Sequence, residues 1–329
     1  MQDILNFLYM DFLAKPIWMW ILFLAIVLIL LVLDLGVFHR VNHEIETKES
    51  LLMSAFYISI GLLFGGWIWW MMGHDKAVEY VTGFVIEKTL ALDNIFVIAM
   101  IFSYFGIPRL YQHRVLFWGI LGVILLRGIM IGFGAALLQQ FHWVLYLFAP
   151  LLIYTGIKMF LGADEEMNIG DNRILKFIRK HFRITEQLHG DKFIVHQENP
   201  KTGKTVRYIT PLLVTLIMVE IADVVFAIDS VPAIFAITID PYIVYTSNIF
   251  AILGLRALYF ALAAMIHRFH YLKYALAVVL IFIGAKIAIT DMLGLAKFPP
   301  MLSLGITLSI IAAGVIVSLR KTKNEPAQL

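Results

Sequence analysis

The stretch FVIEKTLALDNIFV, residues 84–97, lies inside a long apolar run yet carries Glu87, Lys88, Asp93 and Asn94. A helix made for hydrocarbon should contain none of them. Even on insertion scales an aspartate at the centre of a membrane helix costs about 2.5–3.5 kcal/mol. The rest of the chain says that hydrocarbon is the solvent. Of its 329 residues 61% are hydrophobic and 15% charged, too apolar and too weakly charged for a soluble domain. Apolar runs of about 20 residues recur, the length needed to cross about 30 Å at 1.5 Å per residue. They fall at roughly 17–38, 51–72, 80–105, 115–138, 143–161, 210–238, 244–266, 273–292 and 300–319. The chain therefore reads as an all-α polytopic membrane protein with about nine transmembrane helices.

The segments between these runs alternate in charge. Arg40 and Lys48, then Arg109 and Arg114, then the basic segment 162–209, then Arg268 and Lys273, and finally Arg320, Lys321 and Lys323 fall on one side. The intervening connections hold only Lys76 and Lys297 as basic residues. The positive-inside rule then predicts an outside N-terminus and a cytoplasmic C-terminus. Asp3 and Asp11 stand where a signal peptide would be basic, so the first run is expected to be a retained helix. The absence of cysteine excludes disulfides, thiolate metal sites and cysteine nucleophiles. A net charge of +3, placed in the connections, gives no sign of nucleic-acid binding. Segment 162–209 is the one sizeable soluble feature. DNRILKFIRKHFR puts Ile174, Phe177, Ile178 and Phe182 on one face of an amphipathic helix suited to the inner leaflet. FIVHQENPKTGKTVRYIT reads as a β-hairpin. His181, His189 and His196 match no ligand spacing and are expected to be solvated.

The opening stretch occurs twice. EKTLALDNIFV from Glu87 matches DVVFAIDSVPA from Asp223, so that at one offset Glu87 aligns with Asp223, Asp93 with Asp229, and Asn94 with Ser230. Downstream, Arg127 in ILLRGIM matches Arg256 in LGLRALY, and Lys158 in YTGIKM matches Lys286 in FIGAKI. Each unit spans three helices. Because three is odd, the two units enter the membrane from opposite sides, which makes them inverted repeats of the kind that places transporter sites near the midplane. The expected organisation is a two-helix segment 1–79, a first repeat 80–161, the soluble segment 162–209, a second repeat 210–292, and a last helix with a tail 293–329.

Five carboxylates fall in the repeated region: Glu87, Asp93, Glu220, Asp223 and Asp229. Arg127 and Arg256 balance two, which leaves three negative charges, and one divalent cation would reduce that to one. With Asn94 and Ser230 these acids form a candidate all-oxygen site for a hard cation. Residues seven apart share a helix face, so Glu87 goes with Asn94 and Asp223 with Ser230, while Glu220 neighbours Asp223. Asp93 and Asp229 lie about 120° around their helices from Glu87 and Asp223. Pro232 offers a local break, since its ring clashes with the Ile228 carbonyl. A salt-bridged structural core, or a proton relay without metal, would also account for acids at these positions. Asp34, near the expected inner face, would serve either an ion's passage or a helix end reaching water. Lys88 is expected to pair elsewhere or snorkel, and Lys158 and Lys286 to snorkel. Trp67–Trp70 would form part of an aromatic belt.

At IEKTLALDNIFV, VEIADVVFAIDSVPAIFAIT, SNIFAILGLRALYF and LDLGVFHR the sequence resembles the TerC family of bacterial integral membrane proteins, in particular its Alx-like branch. The resemblance covers nearly the whole chain. It implies a metal-homeostasis transporter of the bacterial inner (plasma) membrane, with manganese(II) export as the activity and Glu87, Asp93, Asp223 and Asp229 as the family's acidic pairs. The expectation is a divalent cation as cargo, the lipid bilayer as partner and no required cofactor. The competing expectations are a metal-sensing scaffold that docks a partner through 162–209, and an exporter of small organic solutes with Arg127 or Arg256 as a clamp. An intramembrane enzyme built on an aspartic dyad is the reading least supported, for want of a nucleophile–base constellation.

Overall fold

The computed structural model describes residues 2–34, 47–141, 143–161, 172–198, 205–262, 272–292 and 298–321. The chain opens with a short helix α1 (Gln2–Leu8) and a two-stranded turn of β1 (Asp11–Phe12) with β2 (Lys15–Pro16), neither foreseen from sequence. Each expected span then falls on helix: α2 (Ile17–Leu33), α3 (Thr47–Met72), α4 (His74–Tyr104), α5 (Arg109–Gln140) and α6 (Val144–Leu161). A soluble segment follows, with α7 (Arg173–His181), β3 (Ile194–Glu198) and β4 (Thr205–Ile209). The chain re-enters the bundle as α8 (Pro211–Phe235), α9 (Pro241–Leu253), α10 (Leu255–Leu262), α11 (Leu272–Met292) and α12 (Pro300–Lys321). Among the described residues, six helical spans are long and apolar enough to cross a membrane: α3, α5, α6, α8, the α9–α10 pair and α12. Helix α2 is apolar but shorter, at 17 residues. Helix α4 has 31 residues, about 46 Å of length, with Glu87 and Asp93 near its middle.

Two helix interruptions differ from expectation. Helix α8 runs unbroken through Pro232 to Phe235. Proline removes the N–H that would meet the Ile228 carbonyl, but so close to the helix end little remains for the lost bond to disrupt. The span expected at 244–266 is instead divided at Gly254, and α10 restarts with Leu258 N–H on the Gly254 carbonyl at 3.0 Å. Residues 263–266 of that span, and 35–38 of the first, lie outside the described residues.

Helix α9 is the hub, buried on nearly every side, whereas α6 and α12 turn most of their surface outward. Phe23, Phe64, Tyr242 and Phe250 pack edge to face and tilted around it. Helix α4 lies along α9 and α8, α5 lies along α8, and α6 pairs with α11. The α6–α11 crossing is reciprocal. A Cβ on Gly156 would sit 2.7 Å from the Ala277 carbonyl oxygen and 2.7 Å from Ile281 Cγ1. A Cβ on Gly284 would sit 2.7 Å from the Ala149 carbonyl oxygen and 2.8 Å from Ile153 Cγ1. Gly156 and Gly284, Ala149 and Ala277, and Ile153 and Ile281 share one offset in the chain. The backbones meet here because neither glycine carries a side chain.

The soluble segment is docked on the bundle. In α7 the buried pair is Leu175 and Ile178, packed into the cluster that holds Leu116 and Val219. Of the apolar face expected to meet lipid, only Ile178 turns inward, and Ile174, Phe177 and Phe182 are exposed. The protein, with its own apolar surface available, takes one edge of the helix. The expected hairpin is present as the antiparallel pair β3–β4; its turn, 199–204, lies outside the described residues. Arg114 at the start of α5 makes an ion pair with Asp191 and lies over the Phe193 ring, 5.3 Å from its centroid. Trp69 and Trp70 are exposed at the end of α3, and Trp143 at the start of α6.

Candidate functional site

Helices α4, α5 and α8 meet around one buried guanidinium. Arg127, 1% exposed, reaches from the middle of α5. Its Nη1 donates to Glu87 Oε1 at 2.5 Å and to Ser230 Oγ at 2.9 Å. Its Nη2 donates to Asp223 Oδ1 at 3.1 Å and its Nε to Asp223 Oδ2 at 3.3 Å. The contact with Asp223 is the two-pronged arrangement that a planar guanidinium makes with a carboxylate. All three nitrogens are engaged, every acceptor is oxygen, and Glu87 is itself 1% exposed. Asp223 and Ser230 stand two turns apart on one face of α8, as their spacing predicts. The repeat-matched pair Glu87 and Asp223 thus meets at one point.

The other residues of the predicted site are distributed around it. Asn94, 6% exposed, lines a cavity of about 30 Å³ that Asp223 and Arg256 also line. Its walls are otherwise apolar, and its volume suits a water molecule or two. Glu220, one turn before Asp223, packs on α5 where Gly122 leaves room; a Cβ at Gly122 would overlap the carboxylate. Glu220 Oε2 is buried with no hydrogen-bond partner among the described residues, as is Glu87 Oε2. Asp229 turns away from Arg127 and accepts from Thr155 Oγ1 of α6 at 3.0 Å. It lies about 120° around α8 from Asp223, so an unbroken helix aims it at a different neighbour. The side chain of Asp93 lies outside the described residues. Among the described residues no three histidine, aspartate or glutamate side chains are grouped as a metal cage.

The structure corrects the expectations that Asp34 reaches water and that Lys286 snorkels. Arg256 makes an ion pair with Asp34, both buried, and also lines the cavity that Asp223 lines. Asp34 accordingly does not reach water from its helix end. Lys286 is buried, its Nζ donating to Ser303 Oγ at 3.3 Å, so it does not snorkel. Lys88 pairs elsewhere, as one of its two expectations had it: its Nζ donates to the Ala251 carbonyl at 2.9 Å, just before the α9–α10 break. Sequence reasoning missed Thr155, Gly122 and the Ala251 carbonyl. Their roles come from neighbours on other helices, and nothing in their own positions in the chain signals them.

A helical bundle that faces outward with leucine, isoleucine, phenylalanine and tryptophan, and buries Glu87, Arg127 and Asp223 inside, is an all-α integral membrane protein. The chain belongs to the TerC family of integral membrane proteins, whose family model matches residues 72–326. It is 50% identical over 300 residues to an uncharacterized membrane protein of Rickettsia bellii, covering 91% of this chain and 96% of that one. It is 46% identical over 308 residues to an uncharacterized membrane protein of Myxococcus xanthus, covering 94% of each. It is 43% identical over 309 residues to a protein of Escherichia coli named putative membrane-bound redox modulator Alx, covering 91% of this chain and 94% of that one. No solved structure matches the chain.

Proposed function

We propose that this protein exports a divalent metal cation across the bacterial inner membrane, with manganese(II) as the cargo. The carrying observation is that Glu87 and Asp223, matched in sequence, converge with Ser230 on one buried, oxygen-only set of acceptors whose counter-ion is Arg127. Two carboxylates are seldom brought together in hydrocarbon unless a cation is to be held there. Oxygen donors suit manganese, magnesium and calcium alike, and the family resemblance favours manganese.

The proposed architecture is nine spans with two inverted repeats, α4–α6 and α8–α11, N-terminus outside and C-terminus cytoplasmic. The constant offsets of the acids, and the reciprocal glycine contacts between α6 and α11, support it. The repeats rock about the acidic pair and expose it to each side in turn. In the conformation described the guanidinium fills that pair, so transport requires a second conformation in which Glu87, Asp223 and Ser230 present their oxygens to the ion, with Asn94, Glu220, Asp93 and Asp229 along its path. The export of organic solutes with Arg127 as its clamp is disfavoured, because that residue has all three nitrogens committed to the protein's own acceptors; the version with Arg256 as clamp is tested by competition with amino acids. The absence of cysteine removes thiol–disulfide exchange by the chain itself. A redox effect of the kind named for the Escherichia coli relative is compatible with transport of a redox-active metal such as manganese.

The test is manganese(II) efflux from cells and from reconstituted vesicles bearing wild type, Glu87→Gln or Asp223→Asn protein at matched abundance. Loss of efflux in both variants is expected. Equal manganese content across all three defeats the proposal.

A further inference from the structure

Export of a cation accounts for the gathered acids, but not for the arginine that lies among them. Arg127 occupies the very atoms a divalent ion would need. Glu87 Oε1, both oxygens of Asp223 and Ser230 Oγ are all turned on one guanidinium. The competition is decided by charge. Two carboxylates with one guanidinium leave a net charge of −1. Two carboxylates with one divalent ion leave none. An ion bound to the same acceptors would sit close to the guanidinium, and like charges repel in a medium of low dielectric. The guanidinium and an ion thus compete for the same four oxygens. The matched residue Arg256 makes an ion pair with the carboxylate of Asp34.

We propose, resting on the export reading above, that Arg127 is a tethered cation that competes with the cargo: it holds Glu87 and Asp223 together when the site is empty and is displaced when the divalent ion binds. It positions the acids and sets affinity without itself touching the ion. Its return expels the ion, and it spares the empty carrier from crossing the membrane midplane with two uncompensated carboxylates. A cavity already abuts Asp223 and Asn94, lined in addition by Val123, one turn before Arg127 on α5. Arg256 lines it too, and Arg127 is not among the lining residues. The cavity thus borders Asp223, the carboxylate that the Arg127 guanidinium grips with two nitrogens.

The proposal is tested with manganese(II) alone as the probe, on full-length protein in detergent and in vesicles. Equilibrium binding is measured for wild type, Arg127→Gln and Arg127→Lys, with efflux kinetics for the same three. Removing the competitor is expected to tighten manganese(II) binding at least tenfold in Arg127→Gln while lowering the maximal efflux rate. Arg127→Lys, a weaker competitor with fewer donors, is expected to fall between the two in both respects. A brace would lower the rate with no gain in affinity. Unchanged or weaker binding in Arg127→Gln overturns the inference while leaving wild-type export intact. Where Arg127→Gln does not fold, Arg127→Lys decides alone: a lower half-saturating concentration with a lower maximal rate supports competition, and an unaltered half-saturating concentration refutes it. Absence of manganese(II) binding and efflux in wild type itself removes the export reading, and this inference with it.

Discussion

The α6–α11 crossing offers the sharpest quantitative test of the architecture, through Gly156→Ala and Gly284→Ala. The added Cβ would lie 2.7 Å from a backbone carbonyl oxygen in each case, Ala277 for the first and Ala149 for the second. Ordinary contact begins near 3.4 Å, so the two helices must part by about 0.7 Å at each site. The obstacle is backbone, which no rotamer change relieves. Overpacking of this kind costs about 1–3 kcal/mol. Because the environments are reciprocal, both variants should lose stability to the same extent. The double variant should lose less than the two losses added together, since either Cβ alone forces the separation that accommodates the other. The measurement is thermal unfolding of purified protein in mild detergent, all four forms side by side. A cost in one variant with none in the other would refute the reciprocity, and with it the structural support for matched halves.

Three further outcomes are expected. Arg256→Met leaves Asp34 buried without the cation seen beside it and should destabilise the protein by about 3–5 kcal/mol, with partial recovery in Arg256→Lys; a thermal unfolding midpoint equal to wild type would deny the pair a structural role. Glu220→Gln removes a charge for which no hydrogen-bonding cation is seen among the described residues, so stability should hold or rise while manganese(II) efflux falls severalfold; a loss of stability would mean that the carboxylate has a partner. Arg114→Ala should loosen β3–β4, read as faster proteolysis there, yet leave efflux within about twofold of wild type, since about 0.5–1 kcal/mol of cation–π attraction at an exposed site is at stake; abolished efflux would favour the docking-scaffold alternative.

The chain alone determined the solvent and placed most of the long apolar helices. Runs of about 20 apolar residues admit little but membrane helices, because every backbone polar group must be satisfied within its own segment. The acids at Glu87 and Asp223 were legible for the same reason: a charge in such a run is conspicuous, and its recurrence at one offset is more so. The hairpin was legible from β-prone runs around turn residues. Tertiary structure decided which charge meets which. That Arg127 takes Glu87 and Asp223, that Arg256 takes Asp34, and that Asp229 turns to Thr155 follow from the rotations and crossings of α4, α5, α6 and α8. The α5–α8 crossing rests on close contacts at glycines, Gly122 against Glu220 and Gly134 against Phe235. A sequence fixes the face on which a residue lies through the 3.6-residue turn; the neighbour across that face depends on the packing of every helix at once.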